Sequence, residues 1–498
     1  MSEAVVSTVV LDQPRTGSFA RLARSLSLWS LIATIAWAPF PLGSAVSWGA
    51  SLIEMAVAVS WLFWSVSMIA EPGEIVRNFR LVWFSGLMVL SVLLWCGIQI
   101  LPIVPADWAH PIWGMAAQAL GKPLAGTISI DPWRTKAEIL KLASYVAAFW
   151  LTLSLARRSE AAKTLLNAIV AITTFYAFYG FVLAILDVAQ AELIYAVPFP
   201  RPYISGPFML HNSFATFEGL GTLAALVKAF DAGRESIVMR RGLRQLFLTT
   251  FRFAFGRGTP PLLGVILCFT AIIASASRAG FVATSVAILV MAVVATILAR
   301  HSELRLWTMA AAAAALIAIF LTIALNGQTL GDRFAKLADA GDPDQIRLAL
   351  WDAAWRMIVD MPWRGLGLGT FQDAYPLYAR QALPYVMDRA HCDYLELAAG
   401  VGLPAAIAWW VALGGLAMLC LRGTFARRRN RHIPLLGFCA AVLVAIHSSV
   451  DFSLQMPAVG TLFAIMLGLG VAQSQRTTEM GSKDAASATV RPDLGHLN

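Results

Sequence analysis

Long apolar runs alternate with short polar segments along most of this chain. Twelve of the runs approach the roughly twenty residues that a helix needs to cross about 30 Å of hydrocarbon. They lie at approximately 26–46, 50–70, 82–101, 137–156, 164–186, 210–230, 260–277, 280–299, 306–325, 391–421, 433–450 and 457–473. The pattern predicts an all-α fold, a polytopic integral membrane bundle of about 12 transmembrane helices.

The longest stretch without such a run separates spans nine and ten. Within it, Asp342-Pro343-Asp344-Gln345 supplies an N-cap, a proline at the first helical position and a capping-box glutamine. Apolar residues then recur at helical spacing as far as Pro362. We predict an amphipathic helix in a large external loop. The predicted organisation is an N-terminal tail (1–25), spans one to nine (26–325), the loop (326–390), spans ten to twelve (391–473) and a C-terminal tail (474–498).

The composition agrees with a membrane protein, and the distribution of charge predicts its orientation in the membrane. The chain is 58% hydrophobic and 13% charged, whereas an ordinary soluble domain has about 45–50% and 25%. Most of its 38 Lys and Arg residues fall in alternate loops, and basic residues are retained on the cytoplasmic side. Both termini are therefore expected in the cytoplasm, and the net charge of +9 faces an anionic leaflet. No basic patch stands apart from these loops, so nucleic acid is not an expected partner.

Metal and disulfide sites are not predicted. Four of the five cysteines fall inside spans and Cys392 lies alone near the outer end of span ten, which leaves no disulfide framework or zinc spacing. No tight pair of outer carboxylates accompanies the arginines.

Polar side chains at the predicted outer face supply candidate chemistry. Arg201, His211 and Asn212 precede span six, where the last two have the alternative role of helix caps. Arg278 follows two serines between spans seven and eight. Its guanidinium could form paired hydrogen bonds to a diphosphate, or it could extend to the interface as an ordinary membrane-edge arginine.

Two further groups open span ten and follow span eleven. Arg389, His391 and Tyr394 lie in the first group, and the spacing predicts that His391 and Tyr394 share one helix face. Glycines and a proline then interrupt the helix, as in membrane helices broken near a site. His447 and Asp451 are four residues apart, which suits a carboxylate that orients an imidazole or an ion-paired helix end.

Several motifs in this order resemble a known family. "GPFMLHNSFA" at 206–215, "SRAG" at 277–280 and "WDAAWRMIVDMPWRGLGLGTFQDAYPLY" at 351–378 are followed by "AHCDYLELAAGVGLP" at 390–404 and "HSSVDFSLQMPA" at 447–458. Together they resemble the bacterial O-antigen ligase and Wzy-type polysaccharide polymerase family over roughly residues 200–470. One difference is Cys392, where many members carry asparagine.

The resemblance implies a metal-independent, inverting glycosyltransferase without a cofactor. Its substrates would be a glycan on undecaprenyl diphosphate and an acceptor glycan, met at the periplasmic face of the bacterial inner membrane among membrane lipids and other polysaccharide assembly proteins. His391 is then expected to act as the base and Arg278 to bind the diphosphate. The remaining candidates are expected to bind substrate: Arg201, His211, Asn212, Arg389, Tyr394, His447 and Asp451.

Three functions remain open at this point. The similarity of "HSSVDFSLQMPA" to members linked to exopolysaccharide production favours a polymerase of repeat units. The alternative within the family is a ligase that joins a finished glycan to lipid A core or another acceptor. A transporter of polysaccharide or lipid-linked glycan is the alternative of another class, although its polar residues would be expected near the midplane of the membrane.

Overall fold

In the computed structural model, the chain folds as a bundle of helices. The structure describes residues 16–69, 72–196, 203–236, 255–299, 305, 308–309, 312–313, 315–317, 343–380, 387–427 and 430–475. Across these ranges the regular elements are helical and no strand occurs. The helices are α1 Thr16–Trp37, α2 Ser47–Met68, α3 Gly73–Gln99, α4 Ile112–Leu120, α5 Pro132–Leu155, α6 Ser159–Ile185, α7 Gln190–Tyr195, α8 His211–Ser236, α9 Thr259–Ala274, α10 Arg278–Leu298, α11 Pro343–Asp360, α12 Phe371–Tyr378, α13 Asp393–Val401, α14 Leu403–Ala426, α15 His432–His447 and α16 Pro457–Ala472.

Six of the described helices are long and apolar enough to cross a membrane, namely α2, α3, α5, α6, α10 and α14. Three shorter apolar helices, α9, α15 and α16, stand beside them. This agrees with a multi-pass membrane protein. Most of the predicted ninth span at 306–325 and all of 326–342 in the loop lie outside the described residues.

The first and tenth predicted spans need correction. Helix α1 ends at Trp37, so it begins and ends about ten residues earlier than the predicted 26–46. Prolines at 39 and 41 follow, and proline disfavours helical backbone in the residue before it. The predicted span 391–421 is two helices, because Gly402 lies between α13 and α14 with a φ of 81°.

Helix α16 is the centre of the bundle. All of its residues from Pro457 to Ala472 are buried, and it packs against α5, α8, α14 and α15. A helix that is apolar on every side satisfies its own backbone and needs surrounding helices to cover it. The helix ends next to α16 therefore come close together, and these ends carry the polar residues singled out above.

The segment that contains "GLGLGTF" (365–371) is held to the bundle at its glycines. Gly365, Gly367 and Gly369 all have positive φ, a conformation that glycine adopts without a steric penalty. The amides of Leu366 and Gly367 donate to the carbonyls of Ala399 and Gly400 at 3.0 and 2.8 Å. The predicted turn structure thus joins this segment to α13.

Candidate functional site

Four helix ends converge at one end of the bundle, which we call the site end. Helices α8 and α10 begin there, at His211 and Arg278, while α9 and α15 end there, at Ala274 and His447. These helices pack against one another as α8 with α9, α10 and α15, and α10 with α15. The arrangement brings together side chains that are more than 200 positions apart in the sequence.

His391 and Asp451 form the most direct pair at the site end. The Nδ1 atom of His391 lies 3.3 Å from Oδ1 of Asp451, and the ring of Phe452 contacts the imidazole edge to face at 4.7 Å. The Asp451 side chain is 2% exposed, whereas that of His391 is 29% exposed. When the carboxylate accepts a hydrogen bond from Nδ1–H, Nε2 of the imidazole is the basic nitrogen.

Asp451 is suited to remain ionised. Burial acts to raise the pKa of its carboxyl group, but the hydrogen bond with His391 and the nearby His447 lower that pKa below its ordinary value. The backbone of His391 has a φ of 52°, and its carbonyl accepts a hydrogen bond from Nε1 of Trp351 on α11. The imidazole is therefore fixed by one contact at the ring and another at the backbone.

His447 is oriented by a separate chain of hydrogen bonds. Its Nδ1 atom lies 3.2 Å from the hydroxyl of Ser453, which lies 3.0 Å from the hydroxyl of Thr216. Thr216 donates to the carbonyl of Asn212, so it accepts from Ser453, and Ser453 in turn accepts from Nδ1–H of His447. The lone pair on Nε2 of His447 is left buried and without a partner among the described residues.

His211 connects this cluster to the arginine at the start of α10. Its Nδ1 atom lies 2.8 Å from the carbonyl of Ser275, to which it donates, and its ring contacts Tyr203. Three residues later, Arg278 is exposed at the first turn of α10. The hydroxyl of Ser277 caps α10 by accepting from the amide of Gly280.

Sequence reasoning missed Arg347 on α11. This half-buried arginine lies close enough to both His211 and His447 to act on their charge. It sits in the first turns of the amphipathic helix, where its sequence surroundings give the periodicity of a surface helix. Only the packing of α11 over the site end brings it to the histidines.

Two predicted residues lie apart from this cluster. Arg389 donates to Glu396 at 3.0 Å and contacts Glu138 at 3.5 Å, and it is fully engaged in this ion network. Tyr394 donates its hydroxyl to the carbonyl of Ala445 and packs on Trp410. The predicted helix face shared by His391 and Tyr394 is wrong, because α13 begins at Asp393.

The pairing predicted for His447 and Asp451 also changes. Asp451 contacts His391 through its side chain, while its backbone amide donates to the carbonyl of His447. Arg201 lies outside the described residues. Within those residues, no group of three His, Cys, Asp or Glu side chains is placed to hold a metal ion.

The comparisons with known proteins cover one part of this site. The sequence model of the O-antigen ligase family matches residues 263–410, which include Arg278, Arg347 and His391. The comparison with curated proteins gives no match. The motif resemblance is thus confirmed over residues 263–410, where this membrane protein matches the O-antigen ligase family.

Proposed function

We propose that this protein is an inverting glycosyltransferase that moves a glycan from a polyprenyl diphosphate to a hydroxyl group of an acceptor saccharide. The observation that carries the proposal is the His391–Asp451 pair, whose imidazole is partly open while its carboxylate is buried. The pair lies at the same end of an apolar bundle as Arg278 and Arg347. A base beside fixed positive charge suits a reaction that releases a diphosphate into a membrane-edge site.

In the proposed step, Nε2 of His391 takes the proton from the acceptor hydroxyl as its oxygen attacks the anomeric carbon. The bond between that carbon and the diphosphate oxygen breaks, and its electron pair leaves with the diphosphate. Asp451 stabilises the imidazolium that forms. One displacement without a covalent intermediate inverts the configuration at the anomeric carbon.

Positive charge is needed where the leaving group develops its negative charge. Arg278 stands at the start of α10, where the free amides of the first helical turn add a partial positive charge. Its planar guanidinium can make two parallel hydrogen bonds to phosphate oxygens. Arg347 supplies a second guanidinium near His211 and His447. We assign the diphosphate to these two arginines and propose no metal.

The preferred reaction is polymerisation of repeat units, with ligation of a finished glycan to lipid A core or another acceptor as the alternative. The direct experiment incubates purified protein with a polyprenyl-diphosphate oligosaccharide and measures product size. A ladder of products indicates a polymerase, and transfer to an added lipid acceptor indicates a ligase. Unchanged substrate under both conditions contradicts the glycosyltransferase proposal and favours transport.

A further inference from the structure

The candidate base lies in a short non-helical segment, residues 387–392, that leads into α13. The backbone of His391 has a φ of 52°, a conformation that residues with a Cβ atom keep only when their surroundings hold them in it. The contacts of the neighbouring residues therefore decide where the imidazole lies.

One buried carboxylate holds the two residues immediately before His391. Glu396 is 3% exposed, and its side chain turns back along the chain from α13. Its Oε2 atom accepts a hydrogen bond from the amide of Ala390 at 2.8 Å, and its Oε1 atom accepts from the guanidinium of Arg389 at 3.0 Å. A capping-box glutamate accepts from the amide of the N-cap residue. Here the N-cap is Cys392, and Glu396 binds the amide two residues before it.

The guanidinium that Glu396 binds is itself tied to two other parts of the bundle. Arg389 contacts Glu138 on α5 at 3.5 Å and donates to the side-chain oxygen of Gln455 at 3.4 Å. Hydrogen bonds between ionised groups are stronger than those between neutral groups. The approach to His391 is thus fixed to α5 and to the turn that follows Asp451.

The residues after His391 are held by a different set of contacts. The amide of Asp393 donates to the carbonyls of Ser448 and Asp451 at 2.9 and 3.2 Å, and its Oδ2 atom accepts from the hydroxyl of Ser448 at 2.8 Å. These contacts fix the start of α13 to the segment that carries Asp451. Removing the Glu396 carboxylate therefore frees only the approach to His391 and leaves the helix start in place.

We propose that Glu396 is a positioning residue, which acts on glycan transfer by holding the His391 imidazole on Asp451. The inference rests on the proposed function for the reaction that His391 serves. Both oxygens of Glu396 are used by Ala390 and Arg389, so this carboxylate neither takes a proton nor binds substrate. Displacing a reacting group by about 1 Å can lower a rate by about 10²-fold, and Glu396 is placed to prevent such a displacement.

Two substitutions at this position separate its contacts. Glu396→Leu removes both contacts with a side chain of similar size. Glu396→Gln keeps one acceptor oxygen, but its amide nitrogen is a donor and cannot accept from Ala390 or Arg389. The glutamine variant therefore satisfies one contact and loses the other, so its effect should be intermediate.

Glu74→Leu is the matched control. Glu74 is also a buried glutamate, 5% exposed, which pairs with Arg24 at 2.9 Å and accepts from the hydroxyl of Ser154. It lies in the first turn of α3, whose last residue, Gln99, contacts α13, so the control is a full helix length from the candidate base. Melting temperatures in detergent check that the three variants are folded.

Hydrogen exchange of the peptide that contains residues 387–395, measured by mass spectrometry, reports on this segment without turnover. Glu396→Leu should speed exchange at the Ala390 amide by about 10–100-fold, as expected for the loss of a hydrogen bond to a charged group. Glu396→Gln should give a smaller increase, and Glu74→Leu should give none. Unchanged exchange in Glu396→Leu would overturn the proposal.

The transfer kinetics of purified protein test whether the effect passes through the imidazole. Glu396→Leu should lower kcat by about 10²-fold with little change in the KM for the lipid-linked donor, because the arginines assigned to the diphosphate are untouched. In a His391→Gln background the same substitution should cause no further loss. A role in stability alone would lower the rate equally in both backgrounds, and that result would overturn the positioning role.

The two readouts separate this proposal from the proposed function. Faster exchange in Glu396→Leu, together with no transfer by the unsubstituted protein, would contradict the proposed function and support the contact of Glu396 with this segment. Normal transfer by Glu396→Leu would contradict the positioning role alone.

Discussion

Three histidines at the site end each use Nδ1 in a hydrogen bond, but their exposed fractions differ. In His211, His391 and His447, Nδ1 contacts a carbonyl, a carboxylate and a hydroxyl respectively. Each contact leaves Nε2 as the available nitrogen. The exposed fraction then separates their roles, because His447 is 1% exposed and His391 has a side chain 29% exposed. We therefore propose His391, and not His447, as the group that meets the acceptor.

Arg278 should be needed for its charge and also for its planar shape. Replacing it with alanine should lower the transfer rate by about 10²–10³-fold, the range seen when one donor to a developing oxyanion is removed. Arg278→Lys should recover part of the rate, because lysine restores the positive charge but not the two parallel N–H donors of a guanidinium. The measurement is the initial rate of transfer from a polyprenyl-diphosphate oligosaccharide by purified protein.

Arg134→Ala is the control for this comparison. It removes an ion pair with Asp373 and leaves the His391 cluster intact, so its rate should stay near that of the unsubstituted protein. An Arg278→Ala variant with an unchanged rate would remove the diphosphate role from this side chain.

At the scale of elements, one buried glutamine joins α3 to the segment that contains Gly365, Gly367 and Gly369. The side-chain amide of Gln99 donates to the carbonyls of Arg364 and Gly400 at 2.7 and 2.8 Å, and its oxygen accepts from the amide of Leu368. The glycine backbone comes close here, since a Cβ on Gly365 would clash with the carbonyl oxygen of Gly400. The contact fixes α13, and therefore the position of His391.

Gln99→Ala should destabilise the protein and weaken catalysis together. It leaves buried backbone groups without partners, which costs about 1–3 kcal/mol for each unsatisfied group. The melting temperature in detergent and the transfer rate measure the two effects. Gln118→Ala on the exposed face of α4 should change neither. A Gln99→Ala variant with normal stability would contradict the role of this contact.

Local signals predicted elements better than they predicted contacts. Pro343 is the first residue of α11, and the predicted polar break before Arg278 separates α9 from α10. By contrast, His391 has a positive φ, and two residues later the amide of Asp393 donates to the carbonyls of Ser448 and Asp451. The sequence spacing predicted that His391 lies on a helix. The partners of Asp393 are distant in the sequence and leave no local pattern that could have corrected this prediction. Arg347 was missed for the same reason.

At the scale of the whole molecule, the polar cluster lies at one end of an otherwise apolar bundle. The sequence predicts that this end faces the periplasm and that both termini face the cytoplasm. All five cysteines are buried, so single introduced cysteines can report exposure to a membrane-impermeant maleimide. Lys122 follows α4 in the segment that leads to α5, and Glu160 lies in the first turn of α6 at the opposite end of the bundle.

Lys122→Cys should react with the maleimide in intact spheroplasts, because the positive-inside pattern places its loop outside. Glu160→Cys should react only after the membrane is permeabilised. The unsubstituted protein should show little reaction in either condition. The reverse pattern for the two cysteines would invert the orientation and place the His391 cluster at the cytoplasmic face.

The central claim concerns His391 and Asp451 acting as one unit in glycan transfer. The measurement is the transfer rate of purified His391→Gln, Asp451→Asn and the double variant, with the loop variant His110→Gln as control. We predict a loss of about 10²–10⁴-fold for His391→Gln, the range of general-base catalysis, and no further loss in the double variant. Full activity of His391→Gln, or losses that multiply in the double variant, would contradict the account.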